Sequence, residues 1–334
     1  MTESTVKVSV VIAAYKAAAT LPRVIDSLVA QTLTDWEAII VEDASPDDTL
    51  EMARSLAARD KRVRVIPLER NSRQSVARNR GIEDARGDWV AVLDADDAFT
   101  PERLATLVAY AERHALDIVA DNQLFYDATA QQISRASSRP DAPDREWTLA
   151  THLVEERVGR SFKWGLLKPL IRRAFLTQTG VRYRPEYHMG EDSLFYMELL
   201  AHGAKGRVIA QPMYIYTTAR GEISGQASAA STSRYRFDEH FPIYTFFGDL
   251  YGAKLNAAES AALRTAMRAT IASDQSVQFK SDVKGGRLTA AVARFARHPG
   301  LSYFLYKGAD RYFRHRLPHK IKARLASRRG NSAA

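Results

Sequence analysis

The segment WVAVLDADD, residues 89–97, places an acidic cluster directly after an apolar run. This arrangement is typical of a buried strand that ends at the ligand-binding edge of an open α/β sheet. Asp94, Asp96 and Asp97 repel one another unless a cation or a hydrogen-bonding ligand lies among them, and Mg²⁺ binds through one or two carboxylates together with substrate phosphates. The segment therefore predicts a site for a nucleotide diphosphate. The alternative is a solvated acidic turn at a helix start, which an isolated Asp-x-Asp pattern favours.

The chain before this segment alternates short apolar runs with amphipathic stretches, which indicates a parallel sheet covered by helices. Strands are predicted at residues 6–14, 36–41, 63–66 and 89–93, with a helix after each of the first three. Thr20 is predicted to cap the first helix, with Pro22 near its start. Three strand-to-helix loops, at residues 13–18, 42–48 and 94–97, then meet at one sheet edge. Ligands bind open α/β sheets at the carboxyl ends of strands, so this edge is the predicted site.

The pattern is less regular in the second half of the chain. Helices are predicted at residues 149–158, 168–177 and 192–202, and strands at residues 207–209 and 213–216. Residues 127–145 are rich in Ser, Asp, Gln and Pro, which predicts a mobile loop. Helical periodicity dominates from residue 233 onward.

Composition narrows the class of protein. A chain of 334 residues with 46% hydrophobic content can bury a substantial core, as one large domain with an appendage or as two domains. No apolar stretch approaches the roughly 20 residues of a spanning helix, and the polar start is unlike a secretory signal, so a cytosolic protein is expected. The absence of cysteine excludes disulfides, thiol catalysis and Cys-ligated zinc.

The net charge of +9 is concentrated at the end of the chain. Residues 301–334 contain nine Lys or Arg and one acidic residue, so the preceding 300 residues are almost neutral. Aromatic and aliphatic residues alternate with these cations, as in an interfacial helix attracted to anionic lipid headgroups. No other motif supports nucleic acid as a partner. On charge alone, a solvated tail of little function is an equally good interpretation.

Four short runs carry a resemblance to a known family. They are VSVVIAAY (8–15), VEDASPDDT (41–49), ARNRG (77–81) and VLDADD (92–97). In this order the runs resemble the inverting family 2 glycosyltransferases of the bacterial exopolysaccharide and surface-glycan type. The resemblance implies an α/β GT-A fold, which is a Rossmann-like mixed sheet flanked by helices, here followed by a C-terminal helical extension.

The same resemblance implies a division of the chain into three segments. Residues 1–120 would form the nucleotide-sugar-binding α/β half, and residues 121–230 the acceptor-binding and catalytic half of the same GT-A domain. Residues 231–334 would form the helical extension with its basic, aromatic tail.

The resemblance further implies a base pocket lined by Ala13, Ala14 and Tyr15. Asp43 matches the acid that accepts a hydrogen bond from the imide N–H of uracil, with Glu42 beside it, so a uracil or thymine base is favoured. For Asp43 the alternative is capping of the next helix, since loop acids often do this.

Phosphate and metal contacts are implied in the same way. Arg78 and Asn79 match residues that contact the nucleotide, where a planar guanidinium suits phosphate oxygens, although Arg78 taken alone is typical of a helix surface. Asp94 matches an acid that contacts ribose, and Asp96 matches one that ligates Mg²⁺ or Mn²⁺. Such a cation offsets charge on the departing diphosphate. Arg220 lies in a segment that resembles a flexible loop closing over the diphosphate.

Acceptor chemistry is implied further along the chain. Asp192 matches the family's general base, and Glu191 would orient it or a sugar hydroxyl. The alternative is that both acids simply stabilise the positive end of a helix. Trp164, Lys168 and His188 are acceptor-side candidates, although an aromatic residue or a lone histidine is as often structural.

These matches predict a metal-dependent inverting enzyme that moves a single sugar from a nucleotide diphosphate, with UDP favoured, to a hydroxyl acceptor. The basic tail suggests a polyprenyl-linked glycan acceptor and a peripheral position at the inner face of the cytoplasmic membrane. A sugar-phosphate nucleotidyltransferase is one alternative, but residues 13–19 contain no glycine for its phosphate loop. A membrane-peripheral protein that binds nucleotide sugars without turnover is the other.

Overall fold

A computed structural model of the chain describes residues 6–157, 160, 162–218, 237–298 and 302. The first half contains β1 (Val8–Ala14), α1 (Leu21–Val29), β2 (Trp36–Glu42), α2 (Thr49–Arg59), β3 (Val63–Pro67), α3 (Arg73–Glu83), β4 (Trp89–Val92), β5 (Ala98–Phe99), α4 (Arg103–Arg113) and β6 (Ile118–Asp127). The second half contains β7 (Gln132–Ala136), β8 (Arg145–Trp147), α5 (Leu149–Glu155), β9 (Leu170–Arg172), α6 (Arg173–Thr179), α7 (Glu191–Ala201), β10 (Gly206–Thr218), α8 (Phe237–Tyr251), α9 (Ala257–Lys284) and α10 (Leu288–Arg297).

The strands form one mixed sheet in the order β3-β2-β1-β4-β9-β6-β10-β5, with β7 paired to β6 and β8 to β10. β1, β2, β3 and β4 run parallel, whereas β9 runs antiparallel to both of its neighbours. Ala14 lies opposite Glu42, and Val11 lies opposite Val92. The loops after β1, β2 and β4 therefore leave the sheet at the same edge. The predicted mixed sheet flanked by helices is confirmed.

Both faces of the sheet are buried, because helices cover each of them. Along β1, Val10 and Ile12 face a core layer that includes Leu21 and Leu28 of α1. Val11 faces the opposite layer, to which α3, α7, α8 and α9 also contribute. This double burial explains why the strands of a parallel sheet appear in the sequence as nearly continuous apolar runs.

The helical extension packs on the same core as α7. Phe247 and Tyr251 of α8 and Leu263 and Ala266 of α9 are buried in the layer that contains the apolar side chains of α7. Within the described residues, no helix is both long enough and apolar enough to cross a membrane.

The predicted helix at residues 168–177 is wrong at its start. Leu170–Arg172 form β9 between β4 and β6, and the helix begins only at Arg173. Pro169 disfavours helical backbone at Lys168, and Leu170 and Ile171 are buried where they pair with β4 and β6. The position of β9 brings Lys168, two residues before the strand, to the edge where the predicted site lies.

Three smaller predictions also need correction. Residues 127–145 are not a continuous loop, because β7 pairs with β6; its side chains are mostly exposed and polar and so give no apolar alternation. The two strands predicted at residues 207–209 and 213–216 are one strand, β10, with irregular register at Pro212. Thr20 occupies the position before α1, but its hydroxyl donates to the carbonyl of Ala17 instead of capping the helix.

The close approach of α3 to β1 at Gly81 predicts that two helical glycines differ in how alanine replacement affects stability. A Cβ on Gly81 would lie 2.3 Å from Cγ1 of Val11, a stiff buried side chain in β1. We expect Gly81→Ala to lower the free energy of unfolding by about 1–2 kcal/mol in urea denaturation, because overpacking outweighs the gain in helix propensity.

Gly248→Ala in α8 is the matched control. There the added Cβ would lie 3.6 Å from Leu263, an ordinary contact, so we expect no loss of stability. Equal stability of the two variants would contradict the close packing of α3 on β1.

Candidate active site

A cleft of about 320 Å³ lies at the carboxyl ends of β1, β2 and β4. Its walls include side chains from the three loops that the sequence placed at this edge. The lining residues are Ala13, Ala14, Tyr15, Lys16, Ala17, Thr20, Asp43, Gln74, Ala77, Arg78, Asp94, Ala95, Asp96 and Tyr216. The predicted convergence of the loops is confirmed, and α3 supplies a fourth wall.

Asp43 is held in the cleft by the start of α3. Its carboxylate accepts hydrogen bonds from the backbone N–H of Ser72 at 2.7 Å and of Arg73 at 2.8 Å, and from the amide of Asn71 at 3.1 Å. Burial raises the pKa of Asp43, and the two N–H groups oppose that rise. The helix after Asp43, α2, begins with Asp48 at its cap position, so capping of that helix by Asp43 is wrong.

Glu42 lies behind this wall instead of lining it. It is buried, and its carboxylate accepts a hydrogen bond from the N–H of Ser45 at 2.7 Å. This contact orders the turn that presents Asp43. Glu42 therefore contacts the loop after β2 and is not among the described residues that line the cleft.

Backbone strain is concentrated around the cleft. Lys16, Ala44 and Arg73 adopt positive φ values of 53°, 51° and 69°. Residues with a Cβ rarely adopt this conformation, and such strain typically gathers where a site must be shaped. The three residues lie next to Tyr15, Asp43 and the start of α3.

A closed network of four charges forms the floor of the site. Arg78 binds Asp94 at 2.7 Å and Asp192 at 2.8 Å, and Lys168 binds Asp94 at 3.0 Å and Asp192 at 2.8 Å. Each carboxylate uses one oxygen for each cation. We call these four residues the charge cluster. It joins the acidic loop after β4 to the start of α7, which are about a hundred residues apart in sequence.

The charge cluster is largely buried, so each charge depends on its oppositely charged partners. The side chains of Arg78 and Lys168 are 2% and 4% exposed, while those of Asp94 and Asp192 are 27% and 12% exposed. Burial alone would raise the pKa of Asp94, but Lys168 and Arg78 hold it well below its usual range. Burial alone would lower the pKa of Lys168, but Asp192 and Asp94 raise it above its usual range.

Asp96 and Glu191 lie beside the charge cluster, and their pKa values are raised, whereas that of Asp94 is lowered. Burial, together with the negative charge of Asp94, raises the pKa of Asp96 to about 6. Burial, together with Asp192, raises the pKa of Glu191 to about 7. Gln74 donates a hydrogen bond to Glu191 at 2.5 Å. Among the described residues, none forms an ion pair with Asp96.

The side chains of Arg78 and Asn79 point in different directions, although the two residues are adjacent in sequence. Arg78 lines the cleft, yet its terminal nitrogens bind carboxylates of the charge cluster. Asn79 exchanges hydrogen bonds with the backbone of Tyr183, at 2.8 and 2.9 Å, and does not line the cleft. Consecutive residues of a helix point about 100° apart, so the two side chains cannot face the same ligand.

The acceptor-side candidates occupy three different environments. Trp164 is buried, with its ring against Trp147, and belongs to the core. His188 is exposed and contacts the side chain of Arg73. Lys168 belongs to the charge cluster. Arg220 and the basic part of residues 301–334 lie outside the described residues.

Sequence reasoning missed the residues that support the acidic loop. Asp97 is buried and accepts hydrogen bonds from the hydroxyl of Tyr214 at 2.6 Å and the N–H of Thr217 at 2.7 Å. Arg23 donates to the carbonyl of Asp96 and to the Thr217 hydroxyl. These partners come from α1 and β10, and no local motif marks them. Gln74 was also missed, although it lies next to the ARNRG run.

The mixed α/β sheet gathers Asp43, Asp94 and Asp96 around one cleft, and the charge cluster joins Asp94 to Asp192, which lies outside the lining of that cleft. This architecture is that of the nucleotide-diphospho-sugar transferases of the GT-A type. Comparison with known proteins agrees. The model of the family described as "Glycosyl transferase family 2" matches residues 9–183, just over half of the chain. The chain belongs to this family.

Two curated relatives come from Rhizobium meliloti (strain 1021). The succinoglycan biosynthesis protein ExoO is 34% identical over 218 residues, covering 65% of this chain and 62% of that protein. The succinoglycan biosynthesis protein ExoU is 33% identical over 264 residues, covering 77% of this chain and 73% of that protein. The chain thus spans slightly less than two thirds of the length of ExoO.

A solved structure supports the fold. The crystal structure of S. aureus TarS in complex with UDP-GlcNAc superposes with a TM-score of 0.61 at 21% identity, covering 80% of this chain and 72% of that one. At this identity the likeness establishes the fold alone.

The raised pKa of Asp96 predicts a gain in stability when its charge is removed. The native pKa of about 6 exceeds the ordinary value of 3.8, so the group's ionisation destabilises the native state increasingly as pH rises from about 4 to 6. We expect Asp96→Asn to raise Tm by roughly 2–6 °C at pH 8 in a chelator, and the gain to vanish near pH 4.

Thermal unfolding followed by circular dichroism measures this difference. Asp141→Asn, at an exposed aspartate paired with Arg139, is the control and should give no such gain at pH 8. A loss of stability in Asp96→Asn at pH 8 would show that ionised Asp96 does not destabilise the folded protein.

Proposed function

We propose that this protein transfers one sugar from a UDP-sugar to a hydroxyl acceptor with inversion at the anomeric carbon. The observation that carries the proposal is the charge cluster, which sets the acceptor-side acid Asp192 beside the donor-side acid Asp94. A direct displacement needs a base on the side of the anomeric carbon opposite the leaving diphosphate. Asp192 is the proposed base.

The donor would lie in the cleft with its base near Asp43. Oδ1 of Asp43 accepts one hydrogen bond from the protein, from Ser72, and a carboxylate oxygen can accept a second. The imide N–H of uracil is a suitable donor for that position. Tyr15 and the small side chains of Ala13 and Ala14 line the same end of the cleft. The UDP-GlcNAc complex of TarS supports a uridine nucleotide as donor.

Asp96 is the proposed ligand of Mg²⁺ or Mn²⁺. Within the described part of the chain, no group of three or more His, Asp or Glu side chains could hold a metal unaided. Asp96 lines the cleft beside Asp94 and has no ion pair among the described residues, which fits a cation held largely by substrate phosphates, as is usual for Mg²⁺. When bound, such a cation neutralises charge on the departing diphosphate.

The chain's own groups account for the remaining chemistry. The acceptor oxygen bonds to the anomeric carbon as the bond from that carbon to the diphosphate oxygen breaks, and the acceptor proton passes to Asp192. Arg78 lines the cleft between the two acids, so it places positive charge beside the site of the leaving group. The proposed role of Glu191, which accepts a hydrogen bond from Gln74, is to orient an acceptor hydroxyl beside Asp192.

Turnover should depend on both acids. With a panel of UDP-sugars and Mn²⁺, we expect the protein to release UDP, and Asp192→Asn and Asp96→Asn each to reduce kcat/KM by about 100-fold or more. Nuclear magnetic resonance of the product should show inverted anomeric configuration.

Asp141→Asn is again the matched control, because it makes the same change at an exposed site. If both active-site variants turned over at the rate of the unchanged protein, the proposed chemistry would be wrong.

The acceptor is proposed to be a polyprenyl-linked glycan of exopolysaccharide or cell-surface polysaccharide synthesis. The names of ExoO and ExoU connect those relatives with succinoglycan biosynthesis, which supports this choice. With such an acceptor, the enzyme is proposed to work as a peripheral protein at the inner face of the cytoplasmic membrane. The basic, aromatic tail at residues 301–334 would attach it to anionic lipid.

The last described helix supports a membrane-facing surface. Leu288, Val292 and Phe295 of α10 are exposed and lie at positions i, i+4 and i+7, so they form one apolar stripe. Lys284 and Arg297 are exposed nearby in sequence. In the sequence, α10 precedes the basic tail.

Deletion of residues 301–334 should weaken binding to anionic vesicles about tenfold or more in sedimentation assays, because each basic residue near such a surface contributes about 1 kcal/mol. Binding to neutral phosphatidylcholine vesicles is the control and should be weak with or without the tail. Unchanged binding to anionic vesicles after the deletion would contradict the proposal that the tail attaches the protein to the membrane.

A further inference from the structure

Lys168 is a buried lysine whose ammonium contacts two acids of the site but does not line the donor cleft. Its Nζ lies 2.8 Å from Asp192 and 3.0 Å from Asp94. Arg78 makes the same pair of contacts and does line the cleft. The two cations of the charge cluster therefore differ in what they can reach. Only Arg78 also faces the proposed position of the nucleotide.

The backbone beside Lys168 is fixed from two directions. Arg103 donates a hydrogen bond to the carbonyl of Lys168, and Arg103 is itself held in a fully buried ion pair with Asp121 at 2.7 Å. The hydroxyl of Tyr196 donates to the carbonyl of Leu167 at 2.7 Å. A lysine side chain is long and flexible, and these contacts fix the point from which it starts.

The buried ion pair of Arg103 with Asp121 costs desolvation free energy, which argues that the placement of Arg103 is important. The guanidinium of Arg103 packs against the rings of Phe99 and Tyr214, 4.1 and 5.2 Å from their centres. Its partner Asp121 also accepts a hydrogen bond from the N–H of Met213. A buried ion pair often stabilises a fold no better than apolar residues would, so specificity of placement is the more natural role here.

We propose that Lys168 is a positioning residue, whose ammonium holds the Asp192 carboxylate at a fixed place relative to the donor acid Asp94. This inference rests on the proposed function, in which Asp192 is the base. Lys168 acts through Asp192 and touches neither donor nor acceptor.

The charges around Lys168 explain why the ammonium is needed. Without it, Arg78 is the one cation among the described residues that pairs with Asp94, Asp192 and Glu191, and it lies 3.5 Å from Glu191. Three carboxylates around one guanidinium repel one another, and a displaced Asp192 no longer meets the acceptor hydroxyl. A small displacement of a catalytic group is enough to slow a reaction strongly.

Replacement of Lys168 by Met tests this role, because Met keeps much of the alkyl chain and removes the charge. We expect kcat of Lys168→Met to fall about 100-fold, while KM for the UDP-sugar and the Kd for UDP change by less than about threefold. A lysine that merely stabilised the fold would lower Tm without this split between kcat and KM.

A double-mutant cycle separates action through Asp192 from direct contact with substrate. On the Asp192→Asn background, we expect Lys168→Met to lower the remaining rate by less than about threefold, since the group that it positions is already absent. An equal loss on both backgrounds would show that Lys168 acts independently of Asp192 and would overturn the proposal. So would full activity of Lys168→Met.

Lys163→Met is the matched control, a change of the same kind five residues earlier, outside the charge cluster, and it should retain kcat within about threefold. If Lys168→Met fails to fold, Lys168→Gln, which retains a hydrogen-bond donor, is judged by the same criteria. Full activity of Asp192→Asn would refute the proposed function itself. A slow Asp192→Asn beside a fully active Lys168→Met would refute only the role of Lys168.

Discussion

The charge cluster of Arg78, Lys168, Asp94 and Asp192 is the constraint on which the site depends. Two cations with almost no exposure to solvent are stable only beside carboxylates, and each carboxylate here serves both cations. The four residues come from α3, from the loop after β4, from the approach to β9 and from the start of α7. Satisfying these charges therefore fixes how four separate parts of the fold meet.

The topology of the sheet makes that meeting possible. β1, β2 and β4 deliver the donor-side loops to one edge because they are parallel and in register. β9 runs antiparallel beside β4, so the residues before β9 arrive at the edge that the residues after β4 leave. A parallel strand at this place would have delivered Lys168 to the opposite edge, away from Asp94. One reversed strand thus joins the proposed donor half of the site to the proposed acceptor half.

The sequence predicted the donor half better than the acceptor half, for a physical reason. Doubly buried strands and the acids that follow them leave a local pattern, and the convergence of the three loops on one edge was predicted from it. Contacts between distant segments leave none. Arg78 was assigned to phosphate and Lys168 to the acceptor side, whereas both bind Asp192 and Asp94. Asn79, assigned with Arg78, faces Tyr183 because neighbouring helical residues diverge.

The acids of the site differ in the partners that the protein provides for them. Asp94 and Asp192 have protein cations, and Asp97 has the hydroxyl of Tyr214 and the N–H of Thr217. Asp96 lines the cleft without an ion pair among the described residues, and its pKa is raised to about 6 by burial and by Asp94. In the proposed function, Asp96 is the carboxylate that meets the positive charge arriving with the substrate. In that proposal, Asp96 and the charge cluster have complementary roles. Asp96 attracts the cation that arrives with the donor, and the charge cluster holds the proposed base Asp192 in place while the substrate binds.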